Sequence, residues 1–285
     1  MSVNRTYPIT AIALRGYPLN EADRILVLFS PDEGLKRVVA KGLRKPKSRI
    51  GGRLEPFREN QILLAKGRNM DLVTQVESLR SFPAIQTDYD SLAAAMSAAE
   101  LLLAFVEEGV PSEDVYEHFV EFLSLLGPNS EAEVLLAAYE LQLLELVGYR
   151  PELQVCLTCD TPLEDPKQVR GLNIEAGGTV CWHCEGMMPG RVYRLSPGAW
   201  QLLVRLQETP LDECGRFSGA GTILASCRQA LKDYMSYRAE KELKAQGMFE
   251  WQGIVPQPVA VPRPVPAPKP EAPEPELYDE AEIPF

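Results

Sequence analysis

The sequence predicts an α+β protein, with a small β-barrel at the N-terminus and an all-helical domain that carries an inserted four-cysteine module. Short β-branched and apolar runs occupy residues 7–80, and apolar residues recur at three- and four-residue steps over residues 88–147. Two Cys-x-x-Cys pairs follow. We place the domain boundaries at residues 1–80 for the barrel, 81–253 for the helical domain, and 254–285 for a proline-rich terminal segment. The cysteine module lies within the helical domain, at about residues 154–190.

Five short strands are predicted in the N-terminal region. They cover residues 9–14, 24–29, 35–41, 60–65 and 71–76. The sequence Ser-Pro-Asp-Glu-Gly at residues 30–34 is typical of a turn and indicates a hairpin between the second and third strands. Five strands in so short a segment suit a small closed barrel, and the OB-fold is the first choice among such barrels.

The loop between the third and fourth predicted strands is rich in basic residues. From residue 36 to residue 53 the chain carries no acidic residue and eight basic ones: Lys36, Arg37, Lys41, Arg44, Lys45, Lys47, Arg49 and Arg53. An acid-free cationic loop on a small barrel is typical of contact with the phosphate backbone of DNA. The alternative is a solvated loop without a ligand, although solvated surfaces normally mix both signs of charge. No aromatic residue precedes Phe57 in this loop, so base stacking is not supported there.

Charge is segregated along the chain, whose formal net charge is −11. Residues 1–80 carry 15 Lys and Arg against 8 Asp and Glu, whereas residues 81–150 carry one basic residue against 13 acidic ones. This segregation indicates separate surfaces with separate partners. We interpret the glutamates of the helical region as solvated helix faces, with an acidic docking face as the alternative. These glutamates are Glu107, Glu108, Glu117, Glu121, Glu133, Glu140 and Glu145.

The helical periodicity predicts several helices. One begins near residue 88, and others cover residues 113–126 and 131–147. After the cysteine module, Ser196 is predicted to cap a helix that continues through Leu206. A last long helix is expected from about residue 222 to residue 245. No apolar run approaches the roughly 18 residues that a membrane span requires, so we expect a soluble, cytoplasmic protein.

Four of the six cysteines form two pairs, Cys156 with Cys159 and Cys181 with Cys184, separated by 21 residues. This interval is one residue longer than is usual for four-thiolate zinc sites. We predict one structural Zn²⁺ per chain, since four thiolates leave no open position for a catalytic water. Incidental thiols or a disulfide are the alternatives, and the lack of an apolar N-terminal signal segment argues against a disulfide. His183 could replace one sulfur but is interpreted as a bystander.

The remaining sequence features argue against an enzyme. Cys214 and Cys227 are predicted to be buried helix residues. HExxH and GxSxG motifs are absent from the sequence. Residues 215–222 superficially resemble a phosphate-binding loop but lack the lysine that reaches the terminal phosphates. A zinc-dependent nuclease would need an open metal site, which a four-cysteine site does not offer.

An ordered set of motifs over about residues 5–250 resembles the RecO family of bacterial DNA repair proteins. The motifs are EADRIL at residues 21–26, AKGLRKPKSRIGG at 40–52, LEPF at 54–57, LVGYRPEL at 146–153, YRLSP at 193–197 and YRAEKELK at 237–244. One departure is Asp160 after the first cysteine pair, where glycine is usual. Asp tolerates the left-handed backbone that this position requires.

The resemblance implies a recombination mediator rather than an enzyme. RecO-like proteins bind single- and double-stranded DNA, anneal complementary strands, recognise the tail of single-stranded-DNA-binding protein (SSB), and act with RecR to load RecA. Positive charge would let two repelling strands approach, and weak base contact would leave their pairing edges free. The implied location is the cytoplasm, at the nucleoid. The alternative is a zinc-containing structural or adaptor protein whose basic OB-fold loop binds RNA or an acidic protein partner.

The C-terminal segment has its own pattern. Residues 254–285 contain ten prolines and are predicted to be a disordered linker. The tip consists of Asp279, Glu280, Glu282, Ile283, Pro284 and Phe285. It resembles the C-terminal tip of SSB, in which acidic residues precede Ile-Pro-Phe. We hypothesise that the tip imitates SSB, either by occupying the protein's own SSB-tail pocket or by recruiting other proteins that read that tail. A solubilising tail, or electrostatic masking of the basic loop, are the alternatives.

Overall fold

A computed structural model of the chain describes residues 6–43, 50–217 and 221–244. The predicted α+β order is confirmed, since a sheet-rich N-terminal region precedes the helices. Four predicted DNA-binding residues (Arg44, Lys45, Lys47 and Arg49) and the whole C-terminal tip lie outside the described residues. Of the helices in the described ranges, none combines the length and apolar character of a membrane span.

Five strands form the N-terminal sheet. They are β1 (Thr6–Pro18), β2 (Arg24–Ser30), β3 (Gly34–Ala40), β4 (Arg58–Ala65) and β5 (Asp71–Ser81). They close into a barrel in the order β1-β2-β3-β5-β4. The closing contact is the antiparallel pairing of β1 with β4, and β3 and β5 form the parallel pair. The strands begin close to the predicted positions, whereas β1 and β5 extend beyond the predicted ends.

Alternate residues of β2 face two different cores. Leu26 and Leu28 lie inside the barrel, whereas Val27 and Phe29 pack into the core that the barrel shares with the helices. Successive side chains of a strand point to opposite faces, which explains why residues 25–29 of β2 are all apolar. Phe29 is fully buried, and its ring lies 5.4 Å from that of Tyr116. The barrel is therefore packed directly onto the helices through its outer surface.

The helical domain contains seven helices within the described residues and a small three-stranded sheet. The helices are α1 (Pro83–Thr87), α2 (Tyr89–Phe105), α3 (Glu113–Leu125), α4 (Ala132–Leu146), α5 (Pro197–Glu208), α6 (Leu211–Cys214) and α7 (Gly221–Arg238). The sheet contains β6 (Val169–Asn173), β7 (Gly178–Cys181) and β8 (Val192–Arg194), in the order β7-β6-β8. As predicted, the Ser196 side chain caps α5 by accepting from the backbone N–H of Ala199.

Two details of the helical prediction are wrong. Glu140 is buried, with only 2% of its surface exposed, because α4 is packed against α2, α3, α5 and α7 and has no solvated face at that position. The last helix ends at Arg238 rather than near residue 245. Glu240, just beyond it, adopts a left-handed φ of 52°, which an α-helix does not accommodate.

A buried polar contact joins the barrel to the helices. The Glu59 carboxylate on β4 accepts a hydrogen bond from the Tyr116 hydroxyl on α3 at 3.1 Å, and it pairs with Arg80 Nε on β5 at 3.2 Å. Burial and the neighbouring Glu59 raise the pKa of Tyr116 well above its ordinary value. The phenol therefore remains a hydrogen-bond donor at neutral pH. This contact satisfies a carboxylate that would otherwise be costly to bury.

The β2–β3 turn is pinned to the segment that follows α2. Leu35 N donates to Glu107 O at 3.2 Å, and Gly109 N donates to Glu33 O at 3.0 Å. Gly34 has a φ of +56°, and a Cβ atom at this position would lie 2.2 Å from Val110 O. Only glycine therefore allows the two segments to approach so closely.

We expect Gly34→Ala to lower the free energy of unfolding by about 3 kcal/mol or more, because backbone strain and a steric clash add together. Gly109→Ala is the matched control at the same junction. Gly109 also has a positive φ, +80°, but its Cβ would meet nothing within 4 Å. It should cost only about 1–2 kcal/mol of backbone strain. Urea denaturation followed by circular dichroism measures both values, and equal losses would contradict the steric argument.

Candidate metal centre and nucleic-acid interface

The four cysteines of the two pairs meet at one point. The Sγ atoms of Cys156, Cys159, Cys181 and Cys184 lie within 4.8 Å of one another. Cys159 Sγ and Cys181 Sγ are 4.0 Å apart. A tetrahedral ion with metal–sulfur bonds of about 2.3 Å separates its sulfur ligands by about 3.8 Å. The four side chains therefore have the arrangement required to hold one metal ion.

Backbone hydrogen bonds hold the two cysteine pairs together. The first pair lies in a loop that is tied to β7, since Leu157 N donates to Thr179 O at 3.0 Å. The second pair begins at the last residue of β7 and ends in a single 3₁₀ turn, Trp182–Cys184. Asp160 has the left-handed φ of 53° that the sequence predicted, and its N–H donates to Cys156 O at 2.9 Å. Gly177, with a φ of 89°, turns the chain from β6 into β7.

The electrostatics of the cluster favour a bound cation. Burial raises the pKa of the Cys156 thiol, but backbone N–H groups that point at its sulfur, that of Cys181 first, lower it by more, to about 6. The neighbouring sulfurs, led by Cys181, raise the pKa of Cys184 to about 12. Because the sulfurs oppose one another's ionisation, four thiolates coexist only when a positive ion balances their charge.

The other cysteines and histidines have structural environments. Cys214 and Cys227 are fully buried, as predicted, and burial raises the pKa of these thiols to about 11 and about 12. His118 is stacked on Tyr139, and burial lowers its pKa. The His183 ring is stacked on the Trp182 ring with their centroids 3.8 Å apart. The set of converging ligand atoms in the described part of the chain consists of the four cysteines.

The described members of the basic loop fall into two groups. Arg37 and Lys41 are exposed, and Arg37 lies 3.7 Å from Glu108. Lys36 is only 17% exposed at its side chain, because it pairs with Glu33 and lies 3.6 Å from Asp71. Arg53 donates to Val76 O at 2.7 Å. Arg37, Lys41 and Arg53 thus present charge to solvent, whereas Lys36 makes internal ion pairs that compete with any ligand.

One further cation lies beside this loop. Arg24 is exposed and stands opposite Ala40 in the β2–β3 register, next to Lys41. Gly42 N donates to Asp23 Oδ1 at 2.7 Å, so the β1–β2 turn anchors the start of the basic loop. Sequence reasoning missed Arg24 as a candidate because it is separated from the loop along the chain. Its position in the EADRIL motif was the available signal.

Comparison with known proteins places the chain in a family. Residues 1–82 match the family model described as Recombination protein O N terminal, and residues 86–247 match Recombination protein O C terminal. A protein named DNA repair protein RecO from Pelotomaculum thermopropionicum is 31% identical over 252 residues, which cover 88% of this chain and 96% of that protein. The proteins of the same name from Roseiflexus sp. and Gloeobacter violaceus are each 33% identical, over 84% and 86% of this chain and 83% and 93% of their own lengths.

The structure and these matches together define a DNA repair protein built from a sheet-rich N-terminal region and a helical region. The chain belongs to the RecO family. The resemblance read from the sequence motifs is therefore confirmed.

Proposed function

We propose that this protein is a non-enzymatic recombination mediator with an N-terminal OB-fold. It binds and anneals single-stranded DNA, engages SSB, and acts with RecR to load RecA onto DNA at the nucleoid. Family membership supports a role in DNA repair. The observation that carries the proposal is the acid-free loop of residues 36–53, with Arg24, Arg37 and Lys41 exposed at its border.

The proposed mechanism is electrostatic. Two complementary strands repel each other through their phosphates, and cations that contact both strands reduce this repulsion. Phosphate contacts carry no sequence information, so any pair of complementary strands is a substrate. The bases remain free to pair because the loop holds the backbone rather than the base edges.

We also propose that the metal held by the four cysteines is Zn²⁺, in a structural role. Four thiolates in a tetrahedron are typical of closed zinc sites. The module that the ion would organise is fastened to the helices on two sides. Gln154 Nε2 donates to Glu208 Oε1 of α5 at 3.1 Å, and Arg238 Nη2 of α7 donates to Glu175 O at 3.3 Å. The ion would thereby hold the sheet of β6, β7 and β8 in a fixed position against α5 and α7.

Annealing of SSB-coated complementary strands, with and without RecR, tests the proposed function. The protein should accelerate annealing without ATP, and RecR should be required for the subsequent loading of RecA. Binding to mixed-sequence single-stranded DNA should weaken steeply as salt rises. Failure to bind DNA, together with tight binding to RNA or to an acidic protein, would replace the proposal with the adaptor function.

We propose that the C-terminal tip imitates the SSB tail and binds to proteins that recognise that tail. The tip lies outside the described residues, and its support is the order of its residues: acids at 279, 280 and 282 followed by Ile283, Pro284 and Phe285. An acidic run next to a terminal apolar side chain suits an apolar pocket bordered by basic residues. The alternative of electrostatic masking needs the acids but not Phe285.

A synthetic peptide of residues 276–285 distinguishes these two roles. It should displace a labelled SSB-tail peptide from a protein that binds that tail, and the same peptide without Phe285 should not. In the full chain, neutralising Asp279, Glu280 and Glu282 should raise DNA affinity only if masking operates. If the intact peptide displaces nothing, the tip does not imitate SSB.

A further inference from the structure

The second cysteine pair exposes a large aromatic side chain. Trp182 lies between Cys181 and Cys184 and is 56% exposed. The described Trp200, by contrast, is 6% exposed and donates a hydrogen bond in the core. Exposure on this scale is unusual for tryptophan, which normally buries most of its area. An aromatic ring left in water on a small rigid module indicates a contact surface for a ligand.

The local backbone explains why the ring faces outward and why it is held in place. Cys181 and Cys184 bring their sulfurs to the same point and are buried, whereas the two residues between them are exposed. The Trp182 ring is stacked on the His183 ring, with centroids 3.8 Å apart and an interplanar angle of 28°. One face of the indole is therefore supported by a neighbour, and much of its remaining surface is accessible. A ring that is already oriented loses little conformational entropy when a ligand binds.

Positive charge lies close to Trp182 along the chain, around Glu185 three residues later. Glu185, one residue after the cysteine pair, is held by Arg170 Nε at 2.7 Å and by Arg194 Nη2 at 3.3 Å. Two guanidinium groups share one carboxylate, so the three side chains carry a net positive charge. The side chain of Arg194 is 70% exposed, so its remaining N–H groups are available to an anion. An exposed aromatic ring and an exposed cation, linked through the short segment 182–185, suit the alternation of base and phosphate along a nucleic-acid strand.

We propose that Trp182 stacks on a base of single-stranded DNA while Arg194 contacts a phosphate of the same strand. This inference rests on the proposed DNA-binding function and adds a second contact site, distinct from the barrel loop. Stacking uses the face of a base and leaves its pairing edge free, so it is compatible with annealing. It also selects single strands, because the bases of a duplex are already stacked on one another and cannot cover the indole. The zinc module thereby has a binding role in addition to its structural one.

The test compares Trp182→Ala with wild type on single-stranded and duplex oligonucleotides of equal length. Removing one aromatic–base stack costs about 1–3 kcal/mol, which corresponds to roughly 5- to 150-fold weaker binding. We expect this loss for single strands and a change of less than about twofold for duplexes. Trp182→Phe should restore part of the affinity, because a smaller ring still stacks. Met187→Ala is the matched control, since Met187 is an exposed apolar residue of the same module, 68% exposed, without an aromatic face.

Fluorescence gives a second readout, which reports contact with the indole directly and needs no comparison of affinities. The chain has three tryptophans, and a Trp251→Phe background leaves Trp182 as the exposed emitter beside the buried Trp200. Oligo(dT) should quench the emission of this variant, and the quenching should disappear when Trp182 is also changed to Phe. A preserved metal content in Trp182→Ala shows that the module remains folded.

Three outcomes would overturn the inference. Unchanged binding of single strands by Trp182→Ala, with no quenching in the parent variant, would exclude stacking. Equal losses for single strands and duplexes would indicate a general effect on the DNA path. Loss of RecR binding with unchanged DNA binding would identify the ring as a protein contact. A wild-type chain that fails to bind DNA at all would instead contradict the proposed function.

Discussion

Cys156→Ser is expected to reduce the metal content of the purified protein from about one ion per chain to near zero and to unfold the cysteine module. Cys156 is fully buried, and its sulfur accepts from Cys181 N at 3.3 Å, so it lies at the centre of the cluster. Ion binding in such modules is worth about 10–16 kcal/mol and is coupled to folding. Since the module is hydrogen-bonded to α5 and α7, the helical domain should lose stability as well.

Elemental analysis, thermal denaturation and limited proteolysis measure these effects. The midpoint of unfolding should fall by about 10 °C or more, since each kcal/mol corresponds to about 2–4 °C in a chain of this size. New cleavage sites should appear within residues 154–190. Cys214→Ala is the matched control, because Cys214 is equally buried but does not belong to the tetrad. It should retain the ion and lose only about 1 kcal/mol of stability. A metal-free wild-type protein with an intact fold would refute the prediction.

Replacement of Lys41, Arg44, Lys45, Lys47 and Arg49 by alanine is expected to weaken binding to all DNA sequences alike. Contacts with phosphate do not discriminate between bases, so the loss should be the same for oligonucleotides of different composition. The slope of log K against log salt should also become shallower. Each lost phosphate contact removes about 0.7 from this slope for single strands and about 0.9 for duplexes.

Affinity measured at several salt concentrations tests this prediction directly. Arg216→Ala is a suitable control, because Arg216 is an exposed arginine of the helical domain, far from the loop in sequence. It should leave the slope unchanged. Unchanged salt dependence in the fivefold variant would place the DNA path elsewhere, for example across the basic residues of α7. Lys36 is left out of the variant, since its pairing with Glu33 and Asp71 makes a loss of barrel stability the expected result of changing it.

Local patterns of residues were sufficient to predict much of this molecule. The spacing of the four cysteines predicted their convergence, because each Cys-x-x-Cys pair closes a tight turn whatever surrounds it. The backbone of Asp160 was predicted to be left-handed from its position after the first cysteine pair, and its φ is positive in the structure. The strands of the barrel and the central helices were located from runs and periodicities within a few residues. Such features depend on near neighbours in the chain, and the sequence shows those directly.

Features that depend on distant parts of the chain required the folded structure. A glutamate such as Glu140 is expected on a solvated helix face, yet its helix is packed against helices from four other parts of the chain, and the residue is buried. Lys36 belongs to a basic run, but folding brings it to Asp71 on a different strand. Tryptophan is a residue type that is usually buried, but the packing of the module leaves the Trp182 side chain exposed to solvent. Burial and pairing are set by which segments meet, and a one-dimensional pattern does not contain that information.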